Sequence, residues 1–434
     1  MAVADASDVP FNGRPGGRPI DSGRAIGRDF IKANAARLLD WLVAFWVFSG
    51  GMVITEPSPY ELSFLLVLGV SLFAGLGLHR STLGLLVLFA CFVPFAIIAA
   101  FMPKYTEVTD ALIFQAVTIF LFFTTYWVAN YIADAPQKRM KLIIGAYVAT
   151  AVVSALLGTL GYLGLIPGHD ILTRYGRAKA LFNDPNVFAP FLILPAAYVL
   201  QRVLLQKGKV AVWGGIIFMV LMLGVFASFS RAAWGHLAAT AAIVYLLVFF
   251  LEANAREKVR MLLLGLMGGL MIVIAIGGLL SIPQVQRLFE IRATAQNYDE
   301  GETGRFGRQG YAFELALSHP WGIGPLEFRN LRVKEEPHNA YVNVLHVYGW
   351  GGGFAFILLV VTTIWRGVAF VARPSPNRLL LIPLVATFIP LCVEAAIIDL
   401  DHWRHFYLVA GLIWGVTAAY QKREAGAPNA PAPI

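Results

Sequence analysis

The chain has little of what a water-soluble domain needs on its surface. Of its 434 residues, only 14% are Asp, Glu, Lys or Arg, while 58% are hydrophobic. Soluble domains carry about 25% charged residues, so a soluble enzyme or a nucleic-acid-binding domain is excluded and a polytopic membrane protein is expected. Cysteine is nearly absent. Cys91 and Cys392 are the only two, and both fall inside apolar runs, which excludes a disulfide framework or a cysteine metal site. The first 30 or so residues lack any apolar run, which excludes a cleavable signal peptide. No internal repeat is visible, no long polar linker divides the chain into halves, and Lys and Arg are nearly missing from the middle of the apolar runs. All three absences weigh against a transporter, with Glu394 the main acidic residue near a span end.

What is present is a series of apolar runs. A span needs about 20 mostly apolar residues to cross about 30 Å of hydrocarbon. On that criterion about twelve spans are expected, at 36–55, 61–78, 82–101, 110–131, 140–162, 186–205, 211–229, 232–251, 260–281, 339–371, 379–398 and 404–421. The 339–371 stretch exceeds one perpendicular span and should tilt or project beyond the bilayer. The domain organisation follows: a disordered cytoplasmic tail over 1–34, a transmembrane domain over 35–421 with a polar loop over 282–338 inside it, and a second disordered tail over 422–434. Short loops on the N-terminal side carry most of the Lys and Arg, which by the positive-inside rule places both termini in the cytoplasm. Two long outer loops are exceptions. One holds Arg174, Arg177 and Lys179. The other holds Arg287, Arg292, Arg305, Arg308, Arg329, Arg332 and Lys334. Long loops escape the rule, but a basic outer face also suits an anionic ligand. Gly268-Gly269 and Gly351-Gly352-Gly353 lie in spans and read as close helix packing.

Four polar sets lie at the outer boundary, where polar groups are costly unless they have a task or a partner. The first runs from Arg174 through Arg177 and Lys179 to Asn183-Asp184-Pro185-Asn186. Its end suits a helix N-cap with Pro at the first helical position, and Arg177 can reach over that helix start to an anion. The second is Ser228-Phe229-Ser230-Arg231, a tight turn whose arginine either snorkels to the interface or adds charge beside the first set. The third is Gly304-Arg305-Phe306-Gly307-Arg308-Gln309, which opens a short amphipathic helix that stops at Pro320. Its arginines sit at the unfavourable end of the helix dipole, so an external anion, or the nearby Asp299, Glu300 and Glu302, must neutralise them. The fourth is His338-Asn339, followed by Tyr341 and His346, near enough to one helix face to share a site.

Taken in order, these sets resemble the O-antigen ligase and polymerase family of bacterial polysaccharide-assembly membrane proteins. The residues carrying the resemblance are Arg177 with Phe182-Asn183-Asp184-Pro185-Asn186, Phe229-Ser230-Arg231, Gly304-Arg305 with His319-Pro320-Trp321-Gly322-Ile323-Gly324, and His338-Asn339-Ala340-Tyr341 with Gly349. Departures are Gln309 where an aromatic is usual, Val347 for an acidic residue and Ala180 for a glycine; they leave the acceptor class open. The resemblance implies an all-α, GT-C-like membrane enzyme of the bacterial inner membrane whose periplasmic catalytic loop holds short amphipathic helices. It implies a metal-independent glycosyltransferase that needs no cofactor. The donor would be an undecaprenyl-diphosphate-linked glycan and the acceptor lipid A-core or a second lipid-linked glycan, with membrane lipids as the surroundings and no nucleic acid.

The residues fit that chemistry. A departing diphosphate needs its negative charge stabilised, and arginines supply permanent, bidentate charge. Arg177, Arg231 and Arg305 are the expected diphosphate binders, with Arg174 and Arg308 in reserve, and Arg305 also counts among the catalytic pair. His338 is the expected general base toward the acceptor hydroxyl, with inversion at the anomeric carbon. Asn186, Asn339 and Tyr341 support them, and no metal ligands are expected. The pattern leaves open a ligase, a polymerase joining lipid-linked repeat units, or a transporter or flippase of lipid-linked sugars.

Overall fold

The structure, a computed structural model, describes residues 22–54, 57–293, 301–332 and 334–425. Its helices in chain order are α1 (Ser22–Ser49), α2 (Pro59–Ala74), α3 (Leu83–Ala99), α4 (Val108–Asp134), α5 (Pro136–Tyr162), α6 (Pro185–Phe191), α7 (Ile193–Leu205), α8 (Lys209–Ala227), α9 (Arg231–Leu251), α10 (Ala255–Leu280), α11 (Pro283–Ala293), α12 (Arg305–Ser318), α13 (Ala340–Val371), α14 (Arg378–Glu394) and α15 (Arg404–Ala425). Among the described residues the only sheet is one antiparallel hairpin of β1 (Thr173–Arg174) and β2 (Arg177–Ala178).

Each of the twelve predicted segments coincides with helix, the 186–205 segment with α6 and α7 together. Among the described residues, eight helical segments are long and apolar enough to cross a membrane by length and composition, and α2 is a shorter apolar helix. The protein is therefore an all-α, multi-pass membrane protein. The first helix starts at Ser22, inside the 1–34 stretch expected to be a disordered tail, and α15 continues to Ala425. The rest of both expected tails lies outside the described residues.

Helix ends follow the local chemistry. Ser58 and Glu61 close a capping box on α2, and Asn254 with Glu257 does the same on α10. Asp184 accepts the Asn186 amide at 2.7 Å, with Pro185 at the first position of α6, as the sequence predicts. The core is a bundle in which α15 lies along α4, α14 against α9, and α13 against α3. Its interior is aromatic: Trp46, Tyr131, Tyr147, Phe188 and Tyr407 are fully buried.

The helix over the 339–371 stretch is broken at Gly349, whose φ is +69°. The segment Pro320-Trp321-Gly322-Ile323-Gly324 fills the break. Ile323 N donates to His346 O at 2.7 Å, Gly324 N to Val347 O at 3.2 Å, and Trp350 N to Pro320 O at 2.9 Å. A Cβ on Gly322 would stand 2.3 Å from Val347 O, and one on Gly349 2.3 Å from Pro320 O. Both glycines are required by this backbone-to-backbone approach, which satisfies the groups that the interrupted helix exposes. The short stretch before Gly349 is thereby set apart from the long membrane part of α13.

The amphipathic helix is α12, and it has two faces. Arg308, Ala312 and Ala316, spaced four apart, are buried and turned toward the rest of the protein, where α12 packs on α13. Phe306, Phe313 and Leu317 are exposed on the other side, with Trp321 just beyond.

Candidate active site

The first two polar sets meet at Arg177. Tyr175 and Gly176, both with positive φ, form the two-residue turn that lets β2 fold back on β1 and send the Arg177 side chain inward. It is only 6% exposed. Its Nε donates to Ser228 O at 2.6 Å and its Nη2 to Asn186 Oδ1 at 2.7 Å. One guanidinium therefore joins the hairpin, the start of α6 and the turn between α8 and α9. That turn is held in place by Ser228, whose Oγ donates to Val225 O at 2.6 Å and accepts from Ser230 N at 3.2 Å. Arg231 follows as the first residue of α9 and is exposed. Arg174 is half exposed, donates to Asn183 O at 2.8 Å and lies 4.0 Å from Asp184 Oδ2. Lys179 donates to Phe182 O at 2.9 Å, and partial burial, then the charge of Arg174, lowers its pKa.

The third and fourth sets meet at His338, a non-glycine residue held at φ +56°. Its backbone N donates to Asp399 Oδ2 at 3.0 Å, its ring Nδ1 lies 3.1 Å from the same oxygen, and Asn339 N donates to Asp399 Oδ1 at 2.9 Å. From α12, Gln309 donates to His338 O at 2.8 Å. Asn339 Oδ1 caps α13 by accepting from Tyr341 N and Val342 N at 3.1 and 3.2 Å. Arg305, half-buried, opens α12 after the Gly304 cap.

His338, Tyr341 and His346 do not share a helix face as expected. The left-handed backbone at His338 takes it off the helix, and Tyr341 reaches away to donate to Cys392 O in α14 at 2.6 Å. His346 is buried against Phe328, ring centroids 5.2 Å apart, with Nδ1 3.0 Å from Val342 O. Arg308 is buried in an ion pair with Glu335, which ties α12 to the approach to His338. Arg329 pairs with Glu336 at 2.9 Å, and Arg332 with Glu302 at 3.4 Å. Asp299 and Glu300, the other expected partners, lie outside the described residues, as does the side chain of Arg292.

Sequence reasoning missed the segment that leads from α14 into α15, Asp399-Leu400-Asp401-His402-Trp403-Arg404-His405. Its density of ionisable side chains at the mouth of a span was the available signal. Asp399 orients His338. Arg404 donates to Glu61 Oε1 at 2.6 Å, locking α15 to α2. His402 stacks on Phe114 at 4.2 Å, with Nδ1 3.2 Å from Thr118 Oγ1, and burial pushes its pKa down to about 3, so it is neutral. Asp401 accepts from Asn343 Nδ2 at 3.0 Å; burial, then the neighbouring Asp399 charge, pushes it up to about 7. Burial likewise raises Glu336.

Asp401 makes stability depend on pH with a definite sign. An aspartate with a raised pKa holds a proton in the fold that the unfolded chain releases above 3.8, so stability falls as pH rises from there to about 7. Asp401→Asn keeps an acceptor for Asn343 and removes the charge. It should melt above the wild type at alkaline pH, by an amount worth a few kcal/mol, with the gap closing as pH is lowered toward about 4. Thermal unfolding across that range checks it, and a gap independent of pH would count against a protonated Asp401.

A cavity of about 210 Å³ lies where these parts converge. Asn183 and Val187 border it from the Arg177 side and Asp399 from the His338 side, with His402, Arg404 and His405 along its length. Among the described residues, no group of three or more His, Cys, Asp or Glu side chains is placed to hold a metal ion. Asp399, the carboxylate that holds His338, thus faces this cavity, while Arg177 and His338 themselves do not line it.

Residues 215–357 match the family described as O-antigen ligase. The match includes Ser230-Arg231, the polar loop and His338, and leaves Arg177 and Asp399 outside. No curated protein matches the chain significantly.

Proposed function

We propose, from the O-antigen ligase family membership that residues 215–357 support, that this chain moves a glycan from an undecaprenyl-diphosphate-linked donor to a hydroxyl of a surface-lipid acceptor such as lipid A-core. The reaction would take place on the periplasmic face of the inner membrane. The observation that carries this reading is the pairing of His338 with Asp399, a carboxylate that lines the cavity.

Asp399 accepts the Nδ1–H of His338, which makes Nε2 the basic nitrogen. As the acceptor oxygen attacks the anomeric carbon, Nε2 takes its proton, and Asp399 stabilises the imidazolium that results. The bond from that carbon to the phosphate oxygen breaks on the opposite face, so the configuration inverts. Undecaprenyl diphosphate leaves with its charge balanced by Arg177, Arg231 and Arg305. The exposed Phe306, Phe313, Leu317 and Trp321 suit a helix resting on the lipid surface, which would bring Arg305 to headgroup level, where a lipid-anchored diphosphate lies.

Reconstitution in vesicles with a labelled undecaprenyl-diphosphate glycan tests the reading. With lipid A-core added, a single labelled product is expected. A ladder of products from the donor alone would instead assign repeat-unit polymerisation. Labelled donor crossing the bilayer unchanged would make the chain a transporter.

A further inference from the structure

We infer that the cavity beside Asp399 is a subsite for one uncharged sugar ring of the acceptor, the ring whose hydroxyl is presented to His338; this rests on the proposed function. The cavity measures about 210 Å³, far above the about 10–15 Å³ that a single water requires. Phe182, Phe191 and Trp403 give it aromatic faces against which the C–H faces of a pyranose can pack, and such sites add a few placed polar groups for orientation.

Those groups are present and unsatisfied. Tyr60 Oη, Tyr147 Oη, His402 Nε2 and His405 Nε2 are buried polar atoms with no hydrogen-bond partner among the described residues, and all four residues line this cavity. Tyr147 is 1% exposed and His405 5%. A buried polar atom left unpaired is costly, so four around one cavity point to a ligand rich in hydroxyls.

Other occupants fit less well. An isoprenoid chain would leave all four atoms unpaired. A diphosphate would meet the Asp399 carboxylate, while the one arginine on the wall, Arg404, is paired with Glu61 at 2.6 Å and His402 is neutral. None of Arg174, Arg177, Arg231, Arg305 and Arg308 lines the cavity. The base's own partner does, which identifies the occupant as the nucleophile's sugar and not the leaving group.

The test uses the full chain, purified, with methyl glycosides of glucose, galactose and mannose as probes, and then in vesicles with donor and lipid A-core. At least one glycoside should raise the melting temperature of the wild type. Tyr147→Phe, which removes one unpaired hydroxyl and so should not harm folding, should lose most of that rise. It should also raise the acceptor KM about tenfold, the loss of one hydrogen bond of about 1.4 kcal/mol, and leave the donor KM unchanged. Val187→Phe, which fills the cavity, should do the same. Overturning results are no rise with any glycoside, equal rises in wild type and both variants, or a changed donor KM with a constant acceptor KM. If the wild type binds glycosides but transfers nothing, the proposed function and the acceptor assignment fall together. If it transfers, and Arg177→Ala does not, while Tyr147→Phe keeps its acceptor KM, only the subsite is wrong.

Discussion

Arg177→Ala should lower glycan transfer by at least about 10²–10³-fold, the usual loss when one preorganised charge-stabilising donor is removed from an active site. The expectation rests on two properties of this side chain. It would carry permanent charge to the leaving diphosphate, and it joins the hairpin to Asn186 and to the turn that presents Arg231. Arg177→Lys should therefore fail to restore activity, because an ammonium cannot reproduce donation from separate Nε and Nη2 positions to Ser228 O and Asn186 Oδ1. Asn186→Ala leaves the charge in place and removes one hydrogen bond, so its loss should be smaller, near tenfold for about 1.4 kcal/mol. Rates of labelled transfer in vesicles, with melting temperatures measured in parallel, separate lost chemistry from lost folding. Near-normal transfer by Arg177→Ala would remove the arginine from the clamp.

His338→Ala should cost about 10²–10⁴-fold in turnover, the range for a general base, and leave donor binding intact. Asp399→Asn is the sharper variant. An amide keeps one acceptor oxygen, so one of the two backbone bonds from His338 N and Asn339 N is retained and the other is lost, and a melting temperature measured in parallel separates a loosened loop from lost chemistry. The amide would no longer stabilise the imidazolium, and turnover should fall while the donor KM stays put. Full activity in His338→Ala, alongside an inactive Arg177→Ala, would show that another group removes the proton. An active Asp399→Asn would reduce that carboxylate to a loop clasp.

The structure also separates arginines that look alike in the sequence. Arg308 and Arg305 are three residues apart on α12, yet Arg308 faces inward to Glu335 while Arg305 sits at the helix start. Arg308 is buried while Glu335 is half exposed, so the pair ties α12 to the segment before His338 and gives Arg308 a structural task. The Pro-x-x-Gly-x-Gly run has a similar explanation. Its glycines let its backbone pair with the broken turn of α13.

By itself the sequence determined the membrane class, the helical segments and the cap at Asp184-Pro185, and it singled out Arg177, Arg231, Arg305 and His338. These are local properties: apolar run length, one capping side chain, one proline, one charge where charge is costly. Only the tertiary structure decided that Asp399 holds His338 from 61 residues away, that Arg177 reaches Ser228 across 51, and that α13 breaks at Gly349. It also decided that four unpaired polar atoms surround one cavity. The physical reason is that pairing and enclosure depend on which helices pack together, and no periodicity or spacing within a single segment encodes its neighbour.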